Sequence, residues 1–318
     1  MPEIDPARIR TVPVARRSNK VAAAEFARPP GEDRSFRGFI TSLPHVLEAN
    51  SFLAVRDAIV RAAREERAVV CMLGGHVVKT GLSALLIDLL ERGVVTHIAT
   101  NGSTVIHDYE MARFGGTSED VEAGLRDGSF GMAEETGREM NEAITHGAAA
   151  GLGLGEALGR ALERADLLAA PELSLLLACR RLGVGLTVHA ALGAEIIHQH
   201  PAADGAAIGA ASMRDFRRLA AHLERLEGGV VLNIGSSVVM PEVFLKALTV
   251  CRNVYQGTPR KFVSADFDMI RHYRPRVNVV ERPTRTGGGM GYQITGHHEI
   301  MIPLLAWAIV DALDAHDV

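Results

Sequence analysis

The densest run of reactive side chains lies in residues 186–209, LTVHAALGAEIIHQHPAADGAAIG, where His189, Glu195, His198, His200 and Asp204 follow one another after a short apolar run. Such a set serves two chemistries. Imidazole and carboxylate are zinc ligands, although this spacing matches no standard zinc pattern. A histidine, whose ordinary pKa is about 6.5, also takes a proton from an amine or hydroxyl while carboxylates favour the cation that forms. A third reading has these histidines bonded to backbone in a structural loop.

Further clusters follow the other apolar runs. Gly74, Gly75 and His76 precede Lys79, Thr80 and Gly81; Thr100, Asn101, Gly102 and Ser103 precede His107, Asp108 and Glu110. Glycine turns that open helices expose backbone N–H groups to a phosphate or carboxylate, and Thr80, Ser83, Ser103 and Thr104 are candidate caps. Neither G-x-G-x-x-G at the first run nor G-x-x-x-x-G-K-[ST] anywhere is present, so the common dinucleotide and phosphate-loop fingerprints are missing. Gly235, Ser236 and Ser237 precede Pro241 and Glu242, with Pro241 suited to a helix start. Asp266 and Asp268 are placed to bind a ribose or an amine, Gly287 to Gly289 form an expected loop, and His297, His298 and Glu299 open the last long helix.

The elements that must hold these clusters alternate. Apolar runs at 68–73, 94–99, 184–188, 230–234, 261–264 and 277–280 read as strands, and 83–92, 212–226 and 242–251 as helices. Residues 120–181 read as helical and Ala-rich, with a turn near 147–155. Continuously apolar strands separated by helices predict an α/β fold, a Rossmann-like parallel sheet with helices on both faces. The clusters then stand at the carboxyl ends of strands, where such sheets bind ligands. Residues 1–36, rich in Pro and Arg, predict an arm on the surface or on a neighbouring subunit, and residues 37–318 a single catalytic domain.

With 318 residues and 47% hydrophobic content the chain buries a full core, which excludes a disordered or fibrous protein. Thirty-four Lys plus Arg against 38 Asp plus Glu gives a net charge of -4, too mild and mixed to point to nucleic acid or a membrane surface. The three cysteines sit among apolar neighbours, which predicts free thiols and, with no signal-peptide or membrane-spanning pattern, a cytoplasmic address.

Taken in order, ATNGSTVIHDYE (99–110), LTVHAALGAEIIHQHP and VVLNIGSSVVMPE resemble three segments of the deoxyhypusine synthase family over residues 68–250. The resemblance implies a Rossmann-like fold, NAD as cofactor, an amine or polyamine substrate and a homo-oligomer, a tetramer in that family. It implies NAD contacts at Gly74, Gly75, Thr100, Asn101, Gly102, Ser103 and Asp266, and a catalytic histidine within one position of Gln199. His198 or His200 is therefore the expected base, with Glu242 and Asp204 near the amine. One departure bears on mechanism. The family's final glycine turn is followed by two valines, an imine-forming lysine and two histidines, whereas Val238 and Val239 are followed here by Met240, Pro241 and Glu242. Methionine forms no imine. Lys246, about one and a half helical turns further on, and Lys79, in a different strand-end loop, are the lysines to consider in its place. The N-G-x-x-x-H-D-x-E pattern also resembles archaeal ornithine cyclodeaminases, which use NAD without a covalent lysine. The expected function is thus NAD-dependent oxidation of an amine to an imine, followed by transfer or release. A metal-dependent hydrolase or lyase built on residues 189–200, or a ligand-binding homologue without turnover, are the alternatives.

Overall fold

The computed structural model describes residues 1–315 and divides the chain into two compact units, residues 1–50 and the remainder from Ser51. In the first unit, short 3-10 turns at Pro6–Arg8, Val14–Arg16 and Ala23–Glu25 precede helix α1 (Phe36–Ser42), which Ser35 caps by accepting the Gly38 N–H. Two backbone bonds, Arg28 N to Ser42 O and His45 N to Glu25 O, tie its segments together.

From helix α2 (Leu47–Arg64) onward strands and helices alternate: β1 (Val69–Leu73), α3 (Gly75–Lys79), α4 (Ser83–Glu91), β2 (His97–Asn101), α5 (Gly102–Phe114), α6 (Val121–Asp127), α7 (Glu134–Ala149), α8 (Leu154–Glu163) and α9 (Leu175–Leu182). Then come β3 (Gly185–His189), α10 (Gly205–His222), β4 (Val230–Ile234), α11 (Val239–Val254), β5 (Val263–Asp268), α12 (Arg282–Arg285), β6 (Met290–Thr295) and α13 (His298–Asp314). All six strands are parallel, in the order β3-β2-β1-β4-β5-β6. That is the doubly wound dinucleotide-fold order, and its direction reverses between β1 and β4.

The pattern of burial explains the topology. Every residue of β1 and β4 is buried, and because side chains alternate across a strand, both sheet faces must be covered. Val70, Met72 and Val231 pack with Met240, Phe244 and Leu248 of α11 and Leu219 of α10. A second core joins α5, α7, α8 and α9 through Val105, Met140, Leu158 and Leu176. No helix among the described residues is long and apolar enough to cross a membrane.

The expected strand at 277–280 is corrected to a π-helical turn, Pro275–Glu281. A four-residue apolar run does not by itself distinguish strand from buried helix, and here it crosses the sheet. Ser264 Oγ donates to Val279 O at 2.7 Å. The sixth strand is Met290–Thr295, immediately after the expected glycine loop. Its Gly291 disguised it, yet that glycine is required, since a Cβ there would lie 2.3 Å from Val280 O. The helix caps also differ. Asn101 rather than Ser103 or Thr104 caps α5, by accepting the Thr104 N–H, while α4 has no side-chain cap and Thr80 closes α3.

Candidate active site at the strand ends

At the reversal point the turns after β1 and β4 touch. Gly74 N donates to Ile234 O at 2.9 Å, and a Cβ on Gly74 would lie 2.1 Å from Gly235 O, so only glycine permits this approach. Gly235 has φ +69, the left-handed region that glycine enters without strain. Gly75 sits against the turn after β2, where its Cβ would meet Ser103 Oγ at 2.7 Å and His107 at 3.3 Å. The crevice therefore runs on toward β2 and β3, into a cavity of about 210 Å³ bordered by Lys79, Ser103, His107, Glu110, Glu119 and Glu195.

In this cavity the hydrogen bonds fix which histidine nitrogen is free. Thr117 Oγ1 lies 2.5 Å from Glu110 Oε2 and 2.7 Å from His107 Nδ1. A carboxylate only accepts, so the Thr117 hydroxyl proton goes to Glu110 and Thr117 must accept from His107 Nδ1–H. The remaining nitrogen, Nε2, then carries an unshared lone pair on a ring that lines the cavity. Burial depresses the pKa of His107 from its ordinary value, with Glu110 opposing and Lys79 assisting. The second oxygen of Glu110 accepts from Thr136 Oγ1 at 3.0 Å.

The expected bases are differently committed. His198 Nδ1 accepts the Gly193 N–H at 3.2 Å and its Nε2 stands 3.3 Å from Glu195 Oε2. His200 Nδ1 accepts the Ala202 N–H and its Nε2 lies 3.1 Å from Glu134 Oε2. A neutral imidazole has one lone pair, and each ring has given it to a backbone amide. Asp204 is the N-cap of α10, accepting from Ala206 N and Ala207 N. Glu242 is bonded by Lys246, Asn278 and Arg274, so none of these partners belongs to the His198–His200 turn. His198, His200, Asp204 and Glu242 are thus not brought to one point.

The residues expected at the cofactor divide as well. Gly74 and Gly75 form the turn at the reversal point, packed against Gly235 and Ser103. Thr100 Oγ1 donates to Leu73 O, Ser103 Oγ donates to the capping Asn101 Oδ1, and Gly102 N donates to Glu195 Oε1 at 3.1 Å. The amino end of α5 thereby faces the carboxylate of Glu195, whose pKa burial raises while the Ala191 and Gly102 amides draw it back. Asp266, 2% exposed, accepts from Asn233 Nδ2 at 2.8 Å, and burial lifts its pKa to about 6.

Met240, at the imine-forming position of the resemblance, is 0% exposed in the core beneath α11. Lys246 is bonded to Glu242 on the outer side, which leaves Lys79 as the lysine bordering the cavity. Nor do His189, Glu195, His198 and His200 converge. His189 Nε2 is turned to Thr187 Oγ1, and no group of three His, Cys, Asp or Glu among the described residues is placed to hold a metal ion. Asp108 is structural, accepting from Ser174 Oγ, Leu175 N and Leu176 N at the start of α9. His107 and Glu110 were visible in the sequence as polar residues after a strand, whereas Thr117 and Glu119 carry no signal there beyond polarity.

No family profile and no curated protein matches the chain. Solved structures do. The ternary complex of AgrE with ornithine and NAD+ superposes with a TM-score of 0.53 at 16% identity, over 86% of this chain and 35% of that one. Unliganded AgrE gives 0.52 at 16% identity, over 85% and 34%. A putative deoxyhypusine synthase from Entamoeba histolytica gives 0.50 at 10% identity, over 90% and 97%. The chain spans about a third of the length of AgrE, and at these identities the likeness is one of fold.

Proposed function

We propose that this chain is an NAD-dependent enzyme that oxidises an amine carbon and releases the imine, with His107 as the proton acceptor. The observation that carries the reading is His107, held by Thr117 as the Nδ1–H tautomer on the border of a cavity it shares with Glu110, Glu119 and Glu195. An arriving ammonium must lose a proton before its carbon gives up hydride, and a neutral imidazole suits that task. The carboxylates favour the positive charge that develops at the nitrogen. Lys79, at the same rim, offers a countercharge to a substrate carboxylate. The fold neighbour AgrE, solved with ornithine and NAD+, supports a substrate and cofactor of these classes.

NAD, when bound, supplies the hydride acceptor. The turns of Gly74, Gly75 and Gly235 stand at the reversal of strand order, where sheets of this topology bind a dinucleotide, and are the turns we assign to its pyrophosphate. Ser237, in the turn after β4, and Asp266, within β5, are the groups we assign to the rest of the dinucleotide. Burial of Met240 favours release over covalent transfer. We also propose a homo-oligomer, to be read from the light-scattering mass at micromolar concentration.

Calorimetry with NAD+ followed by absorbance of NADH with L-ornithine, L-lysine, putrescine and spermidine tests the reading. The expected result is NAD+ binding well below millimolar and NADH formation with at least one of these amines. Absence of NAD+ binding at millimolar concentration overturns it.

A further inference from the structure

Thr117, which fixes the tautomer of His107, belongs to neither α5 nor α7. It lies in the stretch between them, residues 115–131, whose backbone changes direction at Gly115 (φ +78), Gly128 (φ +82) and Gly131 (φ +76) and at the non-glycine Ser118 (φ +69). Within that stretch α6 buries only Gly124, against Phe130, and the residues from Ser118 to Ala123 are exposed. Few buried apolar contacts mean a low cost of local opening. The stretch is closed on itself by the Gly131 N–H donating to Glu119 Oε1 at 3.0 Å, and the buried Gly131, tight against Ile196 and Gln199, is the fixed end about which the rest turns. It also has room to do so. Besides the cavity at His107, a second cavity of about 540 Å³ is bordered by Gly116, Thr117, Ser118 and Glu119, and both cavities touch Glu110.

We propose that residues 115–131 are a lid, and that Thr117 is a positioning residue through which lid closure sets His107 as a proton acceptor. With the lid down, Thr117 accepts a hydrogen bond from His107 Nδ1–H and donates its own to Glu110, so the proton stays on Nδ1 and the lone pair on Nε2. With the lid raised, Nδ1 loses its acceptor. The ring then takes the Nε2–H form that imidazole side chains prefer in water, with no lone pair toward the substrate. The site is competent only when closed. No proton is gained or lost in the change, since one nitrogen gives up what the other receives through solvent. The consequence for catalysis rests on the proposed function, but the coupling itself does not.

The test uses full-length protein carrying 15N-labelled histidine, without cofactor or substrate, and compares the wild type with Thr117→Val and Thr117→Ser. Wild type and the serine variant should hold the His107 proton on Nδ1, and the valine variant should shift it to Nε2. Amide exchange should be fast in α6 and slow in the flanking α5 and α7, with the His107 ring and the α6 amides sharing one exchange process. An unchanged His107 tautomer in the valine variant, or an α6 as protected as α5, overturns the proposal. Where an amine is turned over, Thr117→Val should slow it by about 10²-fold and serine should restore it. Failure of the wild type to oxidise any amine would remove the proposed function while leaving the tautomer result to decide the coupling.

Discussion

Two groups of histidine and threonine in this molecule use the same chemistry to opposite ends. At the cavity, His107, Thr117 and Glu110 form a half-buried chain of hydrogen bonds whose middle member sits on an exposed stretch. Along the sheet, Thr187 Oγ1 lies 3.1 Å from His97 Nε2 and 3.2 Å from His189 Nε2, and the ring of His222 stacks on His97 with centroids 4.5 Å apart. His97 and His189 are each 3% exposed, on the ends of neighbouring strands. Burial holds both well below the ordinary histidine pKa, His189 at about 3, and His222 at about 4. Partial burial with a movable partner leaves a titratable group available for chemistry; complete burial among fixed partners makes it part of the core.

The largest effect that would break this contrast is in turnover. His107→Gln should lower amine oxidation by about 10² to 10⁴-fold with the melting temperature nearly unchanged, and wild-type rates in that variant would remove the cavity from the mechanism. His97→Ala should do the reverse. Emptying a buried ring site and leaving Thr187 underbonded should cost about 2 to 4 kcal/mol in denaturant unfolding, with kcat little altered in the protein that remains folded.

Next in size is pH. A histidine whose folded pKa lies below its unfolded value near 6.5 penalises the fold as pH falls, because the unfolded chain binds the proton first. For His222 the penalty begins near pH 6.5 and grows toward about 4, at most about 1.4 kcal/mol for each pH unit. Asp108, Asp215 and Asp266 work against it. Burial raises each to about 6, so they add stability as pH falls from about 6 toward 4. The wild-type profile should therefore be shallow between pH 4 and 6, and the difference between wild type and His222→Phe should expose the histidine slope. A difference independent of pH would mean that His222 is not held neutral. The smallest effect expected is at Asp204→Ala, which removes the cap of α10 and should cost about 1 kcal/mol without changing kcat. A large loss of turnover there would return Asp204 to the catalytic group.

Five strands were legible from apolar runs, because a doubly covered parallel strand favours apolar residues on both faces, although β2 and β5 run on into polar residues beyond the runs that reveal them. The sixth was not, since Gly291 and Gln293 interrupt its pattern for reasons that lie in its neighbours. Gly291 must clear Val280 O, and Gln293 pairs in register with the buried Asp266. At the site, the location at the strand ends could be reasoned from topology alone. The choice among histidines could not, because it depends on which lone pair each ring has already given away. Gly193 and Ala202, which claim those of His198 and His200, are ordinary backbone in the sequence. Glu242 stands at a helix start as expected, but its partner Asn278 arrives from a segment that reads as strand in the sequence and Arg274 from just before it.

Asp215 bears on a different property, the behaviour of the chain in a crowded solution. β3 is an outer strand of the sheet, and outer strands present open amides on which another polypeptide can zip up. Here the 0% exposed Asp215 takes the Val188 N–H and the Gly155 N–H on one oxygen, and Ser212 Oγ takes the Ala190 N–H. The rim of the sheet is sealed from within by side chains of α10, so this border offers no template for strand addition. Removing the carboxylate should convert it into one, and the expected outcome is a chain that precipitates or forms fibres on mild heating rather than one that merely melts earlier.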